Sequence, residues 1–123
     1  MIIPTLRYQD ARAALEFLER AFGFERHAVH ENDDGAIGHA ELRYGDGVVM
    51  LGTAGQGDAR FDTGRSVVYV VVDDPDAHYE QAKAAGAEIV MELTDQDYGS
   101  RDYAAEDPEG NVWSFGTYNP FTA

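Results

Sequence analysis

The chain has 123 residues, 44% of them apolar, no cysteine, and a formal net charge of −14. Such a length fits one domain, and the apolar content excludes a disordered chain; the missing cysteines exclude disulfides and thiol chemistry. The 23 acidic residues against 9 basic ones exclude nucleic acid and anionic membrane surfaces as partners, because phosphate contacts need clustered Lys and Arg.

An acidic surface serves solubility, and it also draws cationic ligands. No apolar run approaches the roughly 18 residues of a membrane-spanning helix. The opening Met-Ile-Ile-Pro-Thr-Leu-Arg-Tyr reads as a strand rather than a signal peptide, and with the absent cysteines it predicts a cytoplasmic protein.

Residues 2–8 alternate and predict the first strand. Asp10 then caps a helix over Ala11–Phe22, with Leu15, Leu18 and Phe22 at helical spacing and Gly23 in the place of a left-handed C-terminal glycine. Strands are predicted at 24–30, 36–44 and 48–53, with Asp46-Gly47 as a two-residue hairpin turn. Residues 52–66 hold four glycines without periodicity and read as a linker or loop. A valine-rich strand follows at Ser66–Val72. Asp74 and Pro75 open a helix that ends at Gly86. The last strands are predicted at 88–93, 100–106 and 111–118, the final hairpin turning in Asp107-Pro108-Glu109-Gly110-Asn111.

The order β-α-β-β-β therefore occurs twice, about 2–53 and about 66–118. Ala21-Phe-Gly-Phe-Glu25 and Ala84-Ala-Gly-Ala-Glu88 match 63 residues apart, as do the hairpin glycines Gly47 and Gly110. Two copies of one unit must stack to bury their apolar faces.

Strand alternation gives each hairpin two faces. With Asp46-Gly47 as the turn, Arg43 pairs with Met50; Ala40, Leu42, Tyr44, Val49 and Leu51 form an apolar face, and His39, Glu41, Arg43, Val48 and Met50 a mixed one. With a turn at Glu109-Gly110, Trp113, Phe115 and Ala104 share the apolar face, and Arg101, Tyr103, Ala105, Val112, Ser114 and Gly116 the mixed one. Two mixed faces together would make a cup for a ligand.

These residues resemble the vicinal oxygen chelate superfamily, which includes glyoxalase I, extradiol dioxygenases, fosfomycin-resistance enzymes and bleomycin-resistance proteins. The likeness rests on Ile3-Pro4-Thr5-Leu6-Arg7-Tyr8 through Phe24, on His39-Ala40-Glu41-Leu42 with Val49-Met50-Leu51, and on Tyr98-Gly99, Arg101 and Asp107–Asn111 followed by Trp113 and Phe115. It implies an α+β fold of two tandem βαβββ modules, a cup-shaped mixed sheet with helices on the outer face. It also implies four metal-ligand positions, which here read Ile3, Met50, Val67 and Ser114. None offers a good donor to a hard cation, so the resemblance points to the branch that keeps the fold without the metal or another cofactor. That branch comprises cytoplasmic homodimers that confer antibiotic resistance by sequestering a bulky cationic drug. Tyr98 stands where such proteins stack an aromatic ring on the ligand.

The expected ligand-binding residues are Arg7, His39, Glu41, Met50, Tyr69, Tyr98, Arg101, Tyr103 and Ser114. His39 and Glu41, two apart on one strand, suit an acid–base pair or a nonstandard metal pair; the alternative is a histidine bonded to the neighbouring strand beside a solvated glutamate. Arg7 and Arg101 could grip an anionic group or merely pair with nearby acids. His27 and His30 are expected to face opposite ways, His78 to face solvent, and Phe61 to cover a ligand or anchor its loop.

Overall fold

A computed structural model of the chain describes residues 1–122. Its elements run β1 (Thr5–Tyr8), α1 (Ala11–Phe22), β2 (Glu25–Glu31), β3 (Ile37–Tyr44), β4 (Gly47–Thr53), β5 (Val67–Val71), α2 (Pro75–Ala84), β6 (Glu88–Asp95), β7 (Arg101–Glu106) and β8 (Val112–Gly116). The duplicated βαβββ order is borne out. β1-β4-β3-β2 and β5-β8-β7-β6 form two mixed four-stranded sheets, and no barrel closes. No helix among the described residues is long and apolar enough to cross a membrane.

Local chemistry places the helices. Asp10 accepts from the Ala13 N–H at 3.0 Å and Asp74 from the Ala77 N–H at 3.1 Å, equivalent N-caps in the two modules. Gly23 and Gly86 follow the two helices at φ 77° and 88°, a region other residues avoid. The segment between the modules contains a short 3₁₀ turn, Ala59–Phe61, capped by Asp58.

Both hairpins differ from expectation, with different consequences. In the first, Tyr44 pairs with Gly47 and Arg43 with Val48, so the turn is Gly45-Asp46 rather than Asp46-Gly47. Gly45 takes φ 55° at the first turn position, which suits a type II′ hairpin. Each residue of β3 meets a partner two residues earlier on β4 than expected, so the faces are unchanged. In the second, Glu106 pairs with Val112 and the loop holds Pro108, Glu109 and Gly110 between Asp107 and Asn111. Pro108 starts a type I turn, closed by the Gly110 N–H on the Asp107 carbonyl at 3.0 Å, and Gly110 follows at φ 86°. A three-residue loop inverts the sidedness of β7 relative to a two-residue one. Tyr103 and Ala105 therefore share the core face with Phe115 and Trp113; Asp102 and Ala104 take the other.

One core joins the modules. It unites the inner faces of both sheets with α1 and α2, and Trp113, Tyr8, Tyr103, Phe22 and Phe115 are fully buried. Phe22 from α1 lies 4.7 Å from the Phe115 ring and 6.0 Å from Trp113. The second hairpin turn clamps the first module. The Asp107 carboxylate is buried and accepts from the Tyr8 hydroxyl (2.6 Å), the Trp113 indole N–H (3.1 Å), the Asn111 amide and the backbone N–H groups of Glu109 and Asn111. Glu109 accepts from the Gln9 and Asp10 N–H groups at 2.7 and 2.9 Å. Burial, reinforced by the Asp107 charge, pushes the Tyr8 phenol above its ordinary range.

His78 is buried rather than solvent-facing. Its Nε2–H donates to the Phe22 carbonyl at 2.8 Å, which leaves Nδ1 to accept from the Tyr103 hydroxyl at 2.5 Å. Burial lowers its pKa, with the Phe22 bond opposing only in part. A depressed histidine pKa gives stability that is present above the unfolded value of about 6.5 and lost as pH falls through the folded value. Urea midpoints should therefore fall as pH drops below about 6.5, before carboxylates titrate. His78→Gln, which bonds without titrating, should flatten that part of the profile.

Candidate functional site

Because both inner faces meet one core, the two remaining faces look away from it. The first outward face carries Thr5 and Arg7 from β1, Met50 and Gly52 from β4, His39 and Glu41 from β3, and His30 from β2, joined by the pairs Arg7–Gly52, Glu41–Met50 and His30–His39. His39 Nε2–H donates to Glu41 Oε2 at 2.9 Å. The His30 and His39 rings stack 6.0 Å apart, and His27 Nε2 lies 3.9 Å from the other Glu41 oxygen. Contrary to the alternation argument, His27 and His30 thus converge, because register shifts between Arg26 and Ala28 and beyond His30 interrupt β2. The His39 hydrogen bond holds the Glu41 carboxyl below the usual range, and the nearby imidazoles act in the same direction.

Beside this pair, a polar cavity of about 330 Å³ is lined by Arg7, His30, Asn32, His39, Thr53 and Gln56. The 52–66 segment folds against it: Phe61 stacks on the Arg7 guanidinium at 5.5 Å, and Asp62 stands 3.6 Å from the same group. Phe61 thus anchors its loop on Arg7. The arrangement can hydrogen-bond a ligand and shuttle a proton. Among the described residues, no three His, Asp or Glu side chains are grouped to hold a metal ion.

The second outward face carries Val67, Tyr69 and Val71 from β5, Ser114 and Gly116 from β8, and Asp102 and Ala104 from β7. Its β5 edge is exposed and mostly apolar, with Val67 at 76%, while Ala104 and Gly116 are buried. Asp102 is buried as well, a carboxylate only 4% exposed. Its Oδ1 accepts from the Ser100 hydroxyl at 2.6 Å and the Tyr69 hydroxyl at 3.1 Å; its Oδ2 has only the Tyr98 hydroxyl at 3.4 Å. Tyr69 also accepts from the Tyr118 N–H, and the Tyr98 and Tyr118 rings meet edge to face at 5.9 Å. Burial pushes the Tyr69 phenol up to about 12, and the Asp102 charge adds to the shift.

Gly116 makes this cluster possible. A Cβ there would stand 1.8 Å from Asp102 Oδ1 and 2.5 Å from the Tyr69 hydroxyl. Gly116→Ala should therefore expel the carboxylate from its place and bring the Tyr69 phenol back toward its ordinary pKa near 10, which spectrophotometric titration reads directly.

Two expected ligand contacts lie elsewhere. Tyr103 is buried under α2, bonded to His78, because of the inverted sidedness. Arg101 shares that parity and pairs with Asp76 at 2.7 Å and Asp95 at 3.1 Å, on the helix side. Arg7, His39, Glu41 and Met50 occupy the first outward face, Tyr69, Tyr98 and Ser114 the second, and the cavity that Arg7 and His39 line takes no residue from the second group. Sequence reasoning missed Asp102 and Ser100. The signal for Asp102 was Gly116, an interior strand glycine of the kind that admits a close neighbour.

A sequence profile for the Glyoxalase/Bleomycin resistance protein/Dioxygenase superfamily matches residues 3–115. The chain belongs to this superfamily. It is 34% identical to TioX from Micromonospora sp. ML1, whose crystal structure superposes with a TM-score of 0.83 over 96% of this chain and 98% of that one. An uncharacterized protein of Mycobacterium bovis is 32% identical over 121 residues, 92% of this chain and 80% of its own. A glyoxalase I mutant from Zea mays shares the fold alone, at 20% identity and a TM-score of 0.77 over 96% of this chain and 45% of that one.

The four positions matched to the superfamily's metal ligands hold Ile3, Met50, Val67 and Ser114. Val67 and Met50 both lie on outward faces, where a ligand would be expected, yet an aliphatic carbon and a thioether cannot hold a hard cation. The donor set does not fit the superfamily's metal.

Proposed function

We propose that this protein binds a small organic molecule without the superfamily's divalent metal, in a cup formed when the first outward face of one copy meets the second outward face of another. The reading rests on one observation above all. Both faces that carry the matched positions look away from the core, and the second exposes Val67, Tyr69 and Val71 along β5 without metal donors at Val67 and Ser114. Exposed patches of this kind mark interaction surfaces, and an uncovered edge strand such as β5 invites pairing. In a two-fold homodimer both faces are used twice, giving two identical cups. Sequestration of a drug in the cytoplasm is the form such binding takes in the resistance branch. Elemental analysis of purified protein, with calorimetric titration of aromatic ligands, tests the reading: a ligand bound with no stoichiometric metal supports it, and stoichiometric zinc, nickel, iron or manganese held by the outward faces overturns it.

The 2.9 Å contact between His39 and Glu41 favours a second reading, an enzyme using that pair for proton transfer. His39→Ala should then abolish a measured turnover while the fold survives; unchanged turnover excludes the role.

A further inference from the structure

We infer that Asp102 selects a positively charged ligand, receiving an ammonium or guanidinium group at Oδ2 beneath the Tyr98 and Tyr118 rings; this deepens the binding reading above and depends on it.

The Asp102 carboxylate is buried, yet no cationic side chain among the described residues reaches it. None of the ion pairs among the described residues involves Asp102. The adjacent Arg101 points to the opposite face, where Asp76 and Asp95 hold it. A buried carboxylate is costly without strong donors. Here its donors are neutral hydroxyls, and they are unevenly distributed. Oδ1 is bonded twice, by Ser100 and Tyr69, whereas Oδ2 has one long contact from a side chain that is 66% exposed. Tyr98 can therefore turn aside without disturbing the core, and Oδ2 retains lone pairs for a charged donor.

The surroundings fit the same ligand. Tyr98 and Tyr118 are exposed aromatic rings at this site, and an aromatic face attracts a cation, more so when water is excluded. Val71, paired with Gly116 on the same face and 41% exposed, provides apolar surface next to the carboxylate for an aromatic or aliphatic body. The chain's charge of −14 would hasten the approach of such a ligand. The glycine at 116 gives the arrangement its specificity, since any side chain there would occupy the space of the carboxylate. An anion would meet an uncompensated negative charge instead, so the site rejects carboxylates and phosphates as it admits amines.

The test uses naphthylmethylammonium, the neutral naphthylmethanol of the same shape, and naphthoate, each titrated into the full chain while the amide resonances of Ser114 and Gly116 are followed. The ammonium should shift both resonances and bind at least about tenfold more tightly than the alcohol, the scale of one charge-assisted hydrogen bond. Asp102→Asn should remove that preference. Should that variant fail to fold, Ser114→Lys places a competing cation on the same face and should likewise weaken the ammonium more than the alcohol. Equal affinity for ammonium and alcohol, or a preference unchanged in Asp102→Asn, overturns the inference while leaving the binding reading intact. Binding of naphthoate alone does the same. If none of the three shifts these resonances, both the inference and the binding reading fall.

Discussion

Replacing Asp107 with alanine should lower the stability of the folded chain by about 3–5 kcal/mol, through several buried donors losing their acceptor at about 1–3 kcal/mol each. Tyr8, Trp113 and Asn111 all direct side-chain donors at this carboxylate, and Glu109 and Asn111 add backbone N–H groups. The effect exceeds the loss of a turn residue because Tyr8 belongs to the first module and Trp113 to the second. Asp107→Asn keeps the volume but aims an amide N–H₂ at groups that are themselves donors, so it should cost about 2–3 kcal/mol without any cavity. Urea unfolding followed by circular dichroism checks both, as a lower midpoint at an unchanged slope. A loss below about 1 kcal/mol for the alanine variant would show that Tyr8 and Trp113 find other partners.

Trp113→Ala should be comparably severe, costing about 3–5 kcal/mol, as large-to-small changes at fully buried aromatic positions do. Trp113 lies on β8, yet the rings it touches, Phe22 at 6.0 Å and Phe24 at 5.4 Å, come from the first module. The cavity would open between the modules, where α1 and the second sheet converge, and neither can close it alone. Trp113 is the only tryptophan in the chain, so in the unsubstituted protein its fluorescence reports that shared core. Its transition should coincide with that seen by circular dichroism, as for a single cooperative unit. Two separated transitions would mean that the modules unfold independently.

What could be read from the chain was local. The caps Asp10 and Asp74, the proline at the start of α2, and the glycines closing both helices act within a turn of their own positions, so both helices were legible. The repeat was legible because the same short-range chemistry recurs 63 or 64 residues later. Sidedness was legible only as far as the turns were. Gly45 moved one turn by a single position and no face changed. Pro108 set a three-residue loop, and Tyr103 and Arg101 changed sides. In β2, shifts in register brought His27 and His30 toward Glu41, and nothing in the alternation of that strand announces them.

The rest depends on distant neighbours. Asp102 reads as an ordinary strand aspartate until Gly116 and Tyr69, 14 and 33 positions away, are seen beside it. His78 reads as a surface histidine until Phe22 and Tyr103 close on both ring nitrogens. Of the candidate site, then, alternation identified the outward strand positions on β1, β3, β4, β5 and β8. It did not show that Arg7, His39, Glu41 and Met50 stand on one outward face and Tyr69 and Ser114 on another.

In the proposed cup these two faces meet only between two copies. This arrangement is tested most directly with Met50→Cys and Ser114→Cys in a chain that has no cysteine of its own. Each variant is purified reduced, then mixed with the other and exposed to a short bifunctional maleimide. A covalent dimer should form readily from the mixture and poorly from either variant alone. The same chain carrying both substitutions should link between copies rather than within one. No covalent dimer from the mixture, together with a monomer by sedimentation, would contradict it.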